Sequence, residues 1–215
     1  MAKGVQYDGI RLRAEVQHTL DWIEQKGIDE EQNIMTNKIT TSNLGYPRIG
    51  KNREWKKTLE AYWSGKIDEQ DFLAQMAGIQ LQHLQSQQKA GIDLIPVNDF
   101  TFYDHVLDTA VMFGVIPQRY AYNGGAVPLD LYFAMARGNA SAPACEMTKW
   151  FTTQYHYNVP AIGSHTPQLT THKPLDAYIV AKTQAGLESK PVMDGLATFL
   201  ELSDGVPREA KRGVG

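Results

Sequence analysis

The sequence predicts an α/β fold, and three observations predict it. Short apolar runs of strand character alternate with amphipathic helical segments. Each return from one strand candidate to the next is long, which favours parallel pairing through right-handed crossovers over hairpins. Glycine and proline mark several of the boundaries between segments, at Pro47 and Gly50, Gly65, Gly91, and Gly114 and Pro117. About four strand candidates can be counted, roughly half of an eight-stranded (β/α)8 TIM-type barrel. In that architecture function gathers at the C-terminal ends of the strands, here residues 45–50, 97–99, 158–161 and 193–195.

The elements follow in order. Leu12, Val16, Leu20 and Ile23 recur at helical spacing, so residues 1–34 are expected to form a helical N-terminal extension. The main domain is expected over 35–203, and 204–215 reads as a polar, glycine-rich tail that frays. A short strand is expected over 43–46, and Pro47 and Gly50 demand a turn after it. Asn52 reads as an N-cap. Trp55, Leu59, Tyr62 and Trp63 then share one face of a helix closed by Gly65.

Asp68 opens a second helix, with Phe72, Met76 and Ile79 on one side. Its glutamine-rich half, from Gln80 to Gln88, reads as a solvated face. Residues 92–97 read as a buried strand. A helix follows with Tyr103, Val106, Leu107, Ala110 and Phe113 in register, closed by Gly114 and Pro117. Residues 129–136 are expected to be helical, as are 144–151. Residues 154–159 read as a strand, 161–173 as a loop, 174–186 as a helix, and 190–193 as a last strand.

Composition excludes several classes. With 215 residues, 42% of them hydrophobic and 21% charged, the chain has the makeup of a soluble globular protein able to bury a core. A formal net charge of −3 gives no global basic field for nucleic acid. No apolar run approaches the ~18 residues of a membrane span. The N-terminal stretch lacks the apolar region of a secretory signal, so a cytoplasmic location is expected, and the sequon at Asn139 reads as chance. One cysteine, Cys145, leaves no disulfide framework and no cysteine-rich zinc site; it reads as a small buried residue.

The stretch 43–57 carries the chemistry. It places Arg48, Lys51, Arg53, Lys56 and Lys57 around a helix start. Free backbone N–H groups and the positive dipole end there already favour an anion. Gly45–Asn52 nearly matches a P-loop, but Asn52 stands where a magnesium-binding hydroxyl is required and Pro47 removes a cradle donor. Lys149, between apolar and aromatic neighbours, reads either as a surface lysine or as a second anion contact. Asp99, Asp104 and His105 read as a hydrogen-bond network that fixes a loop, with an acid/base group as the alternative. His156 reads as a core histidine. The six histidines form no HExxH pair or Cys/His cluster.

Several motifs occur in one order: Leu44-Gly-Tyr-Pro-Arg-Ile-Gly50, Asn52-Arg-Glu-Trp-Lys-Lys57, Ala90-Gly-Ile-Asp-Leu-Ile-Pro96, Tyr103-Asp-His-Val-Leu-Asp108, Ala134-Met-Ala-Arg-Gly138, Glu146-Met-Thr-Lys-Trp-Phe151 and Tyr155-His-Tyr157. Together they resemble the N-terminal domain of cobalamin-independent methionine synthase, from about Leu44 to Pro160. The match is weaker over Lys173–Tyr178 and Lys190–Val192.

The resemblance implies two α/β barrels and transfer of a methyl group from 5-methyltetrahydropteroyltri-L-glutamate to L-homocysteine, giving L-methionine. It implies no cobalamin, and a zinc that activates the homocysteine thiol from the C-terminal barrel. The family's folate contacts match Arg53, Glu54, Trp55, Lys56 and Lys149. Arg and Lys at a helix start suit a chain of carboxylates.

The departures are Ala161 where the family has Glu, Gly195-Leu-Ala-Thr-Phe199 after an unusual Asp194, the unmatched ends, and the absence of the zinc ligands. The chain is therefore expected to be a fragment that contributes to folate binding and does not turn over alone, with L-homocysteine engaged only alongside a C-terminal barrel. A non-catalytic remnant or folate-binding module is the alternative, and a P-loop-like nucleotide binder a third.

Overall fold

The structure, a computed structural model, describes residues 39–163 and 166–206. The segments 1–34 and 207–215 lie outside the described residues. Contacts divide the chain into Met1–Thr40 and Thr41–Gly215, and every element below belongs to the second unit.

The unit is mixed α/β. Helix α1 (Glu54–Trp63) ends in two reciprocal bonds, Gly65 N–H to Tyr62 O and Lys66 N–H to Ala61 O, with Gly65 left-handed at φ 71°. Helix α2 (Glu69–Lys89) starts where Asp68 accepts the Asp71 N–H at 2.8 Å. It ends in the same motif at Gly91. Strand β1 (Ile95–Val97) follows, buried throughout.

Then come α3 (His105–Met112), a 3₁₀ turn (Gln118–Tyr120) and α4 (Leu129–Arg137). Strands β2 (Met147–Lys149) and β3 (His156–Asn158) precede α5 (Lys173–Gln184), β4 (Ser189–Pro191) and α6 (Leu196–Leu202).

The strands pair differently from the expected all-parallel set. β1 pairs with β4 in parallel, Ile95 opposite Ser189. β2 and β3 form an antiparallel hairpin, Met147 opposite Asn158. Two isolated parallel bridges, Ser42 to Leu94 and Ala161 to Asp204, extend the parallel character. Leu94 N–H bonds Thr41 O while Ile95 N–H bonds Glu188 O. Successive strand N–H groups point to opposite sides, so the Ser42 segment and β4 flank β1 on its two edges.

Further expectations are corrected. No strand forms over 43–46; the chain makes one bridge just before it, at Ser42, because the backbone N–H of Gly45 goes to Asn43 Oδ1 and that of Tyr46 to Asp99, while the Asn43 side chain donates to Gln87. Gln87 is accordingly buried, an exception to the solvated reading of its tract.

The helix expected over 144–151 is extended chain and β2. Cys145 N–H goes to Met135 O and Val159 N–H to Glu146 O, so tertiary pairing overrides local helix propensity. The last strand is followed by α6, which sequence periodicity missed in so short a segment.

Among the described residues, three apolar clusters hold these elements. Phe72, fully buried, lies at 4.7 Å from Tyr62, 5.1 Å from Phe102 and 5.9 Å from Phe133, tying α1, α2 and α4 together. Val106, Ala110, Tyr157, Phe199 and Leu202 join α3, the hairpin and α6. Ile95, Val97, Leu84, Ala181 and Leu187 join β1 to α2 and α5.

Candidate functional site

The turn before α1 is built around one carboxylate. Arg53, not Asn52, is the N-cap; it is left-handed at φ 62° and makes no side-chain cap bond. Glu54 folds back instead. Its carboxylate accepts the Asn52 N–H at 3.0 Å and the Asn52 Nδ2 at 3.1 Å. Its own backbone N–H first, then those of Asn52, hold it below the usual carboxylate range. Gly50, at φ 78°, is required here: a Cβ would collide with that carboxylate. The place a phosphate would take in a P-loop is therefore filled by the protein's own anion.

Trp55 turns inward and is fixed at both ends. Its Nε1 donates to Thr101 O at 3.0 Å, and the Arg48 guanidinium lies 4.5 Å over its ring. Arg48 also donates to the Thr101 hydroxyl. Arg48 enters the sequence reading only as one of five charges, yet it ties this corner together through the Trp55 ring and the Thr101 hydroxyl. Arg53 and Lys56 face outward. Lys56 meets Glu60 at 3.5 Å with both side chains half exposed, a weak pair. Arg53 is exposed and, among the described residues, makes no side-chain hydrogen bond or ion pair.

Lys149 sits exposed on β2, likewise unpaired among the described residues. Among the described residues no side-chain hydrogen bond or ion pair joins it to α1. Burial raises the phenol of Tyr155, near the end of the same hairpin. Arg53, Glu54, Trp55 and Lys56 thus share one helix turn, and Lys149 stands on a separate element.

Behind this surface lies a buried polar network. Asp104 caps α3 by accepting the Leu107 N–H at 2.7 Å, and its other oxygen accepts the Asn158 N–H at 3.0 Å. Burial pushes its pKa up to about 7 against the lowering effect of those two bonds. His105 is held below its ordinary value by burial. Asp108 accepts from Tyr132 at 2.6 Å and from Lys173. Asp194 accepts from Thr109 at 3.3 Å, and burial raises its carboxyl. His105 joins this network through its backbone, its carbonyl accepting the Thr109 hydroxyl at 2.9 Å, while Asp104 serves the loop-fixing role expected of it. Asp99 accepts the Tyr46 N–H at 2.7 Å and does the same.

His156, expected in the core, is exposed: β3 buries Tyr157 and Asn158 instead. Cys145 is buried beside Arg119 and Tyr120, and burial raises its thiol. A groove of about 650 Å³ runs between the 46–54 turn and α2, lined by Tyr46, Lys51, Glu54, Gln82 and His83. Among the described residues no group of three or more His, Cys, Asp or Glu side chains is placed to hold a metal ion. Among them, too, no helix is long and apolar enough to cross a membrane.

Fold and site together define a mixed α/β domain with the cations Arg53 and Lys56 exposed at the start of α1. The family model described as "Cobalamin-independent synthase, N-terminal domain" matches residues 40–213. The chain belongs to the cobalamin-independent methionine synthase family. Among its relatives, the 5-methyltetrahydropteroyltriglutamate–homocysteine methyltransferase of Halalkalibacterium halodurans is 54% identical over 167 residues, 78% of this chain and 22% of that protein. The enzyme of the same name from Bacillus cereus is 55% identical over 172 residues, 80% and 22% of the two chains. That from Listeria innocua is 50% identical over 173 residues, 80% and 23%. The chain thus spans less than a quarter of the length of these relatives.

Proposed function

We propose that this domain holds the polyglutamate tail of 5-methyltetrahydropteroyltri-L-glutamate within the methyl transfer to L-homocysteine that yields L-methionine. The observation that carries the reading is the start of α1. Its outward cations, Arg53 unpaired and Lys56 weakly paired, sit on a turn whose geometry is fixed by Trp55 and by the Glu54 carboxylate. Carboxylates of the tail pair with the outward side chains of Arg53 and Lys56. Lys149 supplies a further cation from β2. The names of the relatives supply the substrates.

In this reading the parallel elements belong to a partial (β/α)8 barrel over 35–203, flanked by an N-terminal extension over 1–34 and a tail over 204–215. Residues 41–42, β1 and β4 side by side in parallel support it. The chain by itself does not form methionine. The zinc of the family would activate the homocysteine thiol, and the described residues do not fit it: they bring no such ligand group together. No cobalamin takes part.

The test is equilibrium dialysis with triglutamyl 5-methyltetrahydrofolate, together with a methyl-transfer assay on the 215-residue chain. Retention of the folate, weakened in Lys149→Ala, is expected. Homocysteine-dependent methionine formation, or no retention at all, overturns the reading.

A further inference from the structure

Between β2 and β3 the chain turns over four residues, with Trp150 N–H donating to Tyr155 O at 2.7 Å. Within that loop the Trp150 carbonyl accepts both the Thr153 N–H at 3.0 Å and the Thr153 hydroxyl at 2.6 Å. Phe151 is therefore the first central residue of a tight turn, and its φ is 48°. That angle is left-handed, a conformation that residues with a bulky side chain rarely adopt. A phenylalanine there strains the backbone, since its Cβ and ring crowd the neighbouring carbonyls.

Packing does not compensate. Phe151 is 67% exposed, the most exposed aromatic ring among the described residues. The anchoring is done next door. Trp150 packs with the cluster of Val106, Tyr157 and Phe199, meets Tyr157 at 5.9 Å, and touches the Phe151 ring edge-on at 5.5 Å. The tip is thus pinned by Trp150 and carries a second ring that is largely exposed and meets the edge of Trp150. Two residues before it, on the same hairpin, stands the unpaired cation Lys149. Their Cα atoms are at most about 7 Å apart.

A strained, presented ring beside a free cation matches a ligand that joins a flat aryl group to a carboxylate. We propose that Phe151 is an aryl platform: its ring stacks on the aminobenzoyl ring that links the pteridine to the glutamate chain, while Lys149 takes a carboxylate of the attached tail. This rests on the folate reading and adds to it a residue that selects the aryl portion of the ligand.

The test uses the 215-residue chain and two probes, p-aminobenzoyl-triglutamate and γ-linked triglutamate without the ring. Calorimetric titration measures affinity, and thermal melting follows the fold. The wild-type chain is expected to prefer the aryl probe about three- to tenfold, the range of one aromatic stacking contact. Phe151→Gly is expected to lose that preference, keep its affinity for triglutamate, and melt no lower than wild type, because the strain is relieved. Phe151→Tyr is expected to keep the preference.

If Phe151→Gly keeps the preference, or melts clearly lower, the ring is a packing residue and the proposal is overturned. Equal wild-type affinity for the two probes overturns it while leaving tail binding standing. Wild-type binding of neither probe overturns the folate reading and this proposal with it.

Discussion

Replacing Asp104 by asparagine should change how the stability of this domain depends on pH. Asp104 is 1% exposed, and its two oxygens accept backbone N–H groups from Leu107 and Asn158. Burial raises its pKa from 3.8 to about 7. The carboxyl therefore binds its proton more tightly in the fold than in the unfolded chain. Its stabilising contribution is complete below about pH 4 and is lost as pH rises toward 7. Between pH 5 and pH 8 the loss comes to about 3 kcal/mol.

Asparagine keeps one acceptor for Leu107 and turns a donor toward the Asn158 N–H. That leaves a buried donor unsatisfied, at a cost of about 1–3 kcal/mol that does not vary with pH. Urea unfolding of wild type and Asp104→Asn from pH 5 to pH 8 checks this. The variant should be clearly less stable at pH 5, with the gap narrowing or reversing by pH 8. The other buried titrating groups, Asp99, His105 and Asp194, are common to both chains and drop out of the difference unless they are strongly coupled to Asp104. Parallel stability curves would refute the reasoning.

Other perturbations are read more simply. Phe72→Ala should cost about 3–5 kcal/mol in urea unfolding, since it opens a cavity among Tyr62, Phe102 and Phe133. A loss under 1 kcal/mol would contradict the packing described. Arg48→Ala should cost about 1–2 kcal/mol and shift Trp55 fluorescence toward longer wavelength, because the guanidinium that covers the ring is gone. An unchanged emission spectrum would mean that Arg48 does not hold Trp55 in solution.

Much of this fold was legible because its signals are local. Asp68 and the Phe72–Met76–Ile79 stripe announced α2, and Gly65 and Gly91 marked where helices stop. What was not legible depends on distant partners. Glu146-Met-Thr-Lys has no strong strand preference; it becomes β2 only because Tyr157 and Asn158 pair with it. Asn52 has the chemistry of an N-cap, but the Glu54 carboxylate reaches its N–H first and moves the cap to Arg53.

The site divides in the same way. The charges at 53 and 56 and the aromatic at 55 share a helix turn that spacing alone suggests. The role of Arg48 follows from Thr101, more than fifty residues away. Phe151 could not be singled out without its backbone angle, since in sequence it is one more aromatic in an aromatic-rich run.

The central claim is that the α1 start receives the glutamate tail. Calorimetric titration of the 215-residue chain with mono- and triglutamyl 5-methyltetrahydrofolate tests it most directly. The two added carboxylates should each gain a partly exposed pairing, together about tenfold in affinity at low salt, and the gain should shrink in high salt. Arg53→Ala combined with Lys56→Ala should bring the two ligands to the same affinity. A triglutamate preference that survives the double substitution, or a wild-type chain that does not distinguish the two ligands, would contradict the account.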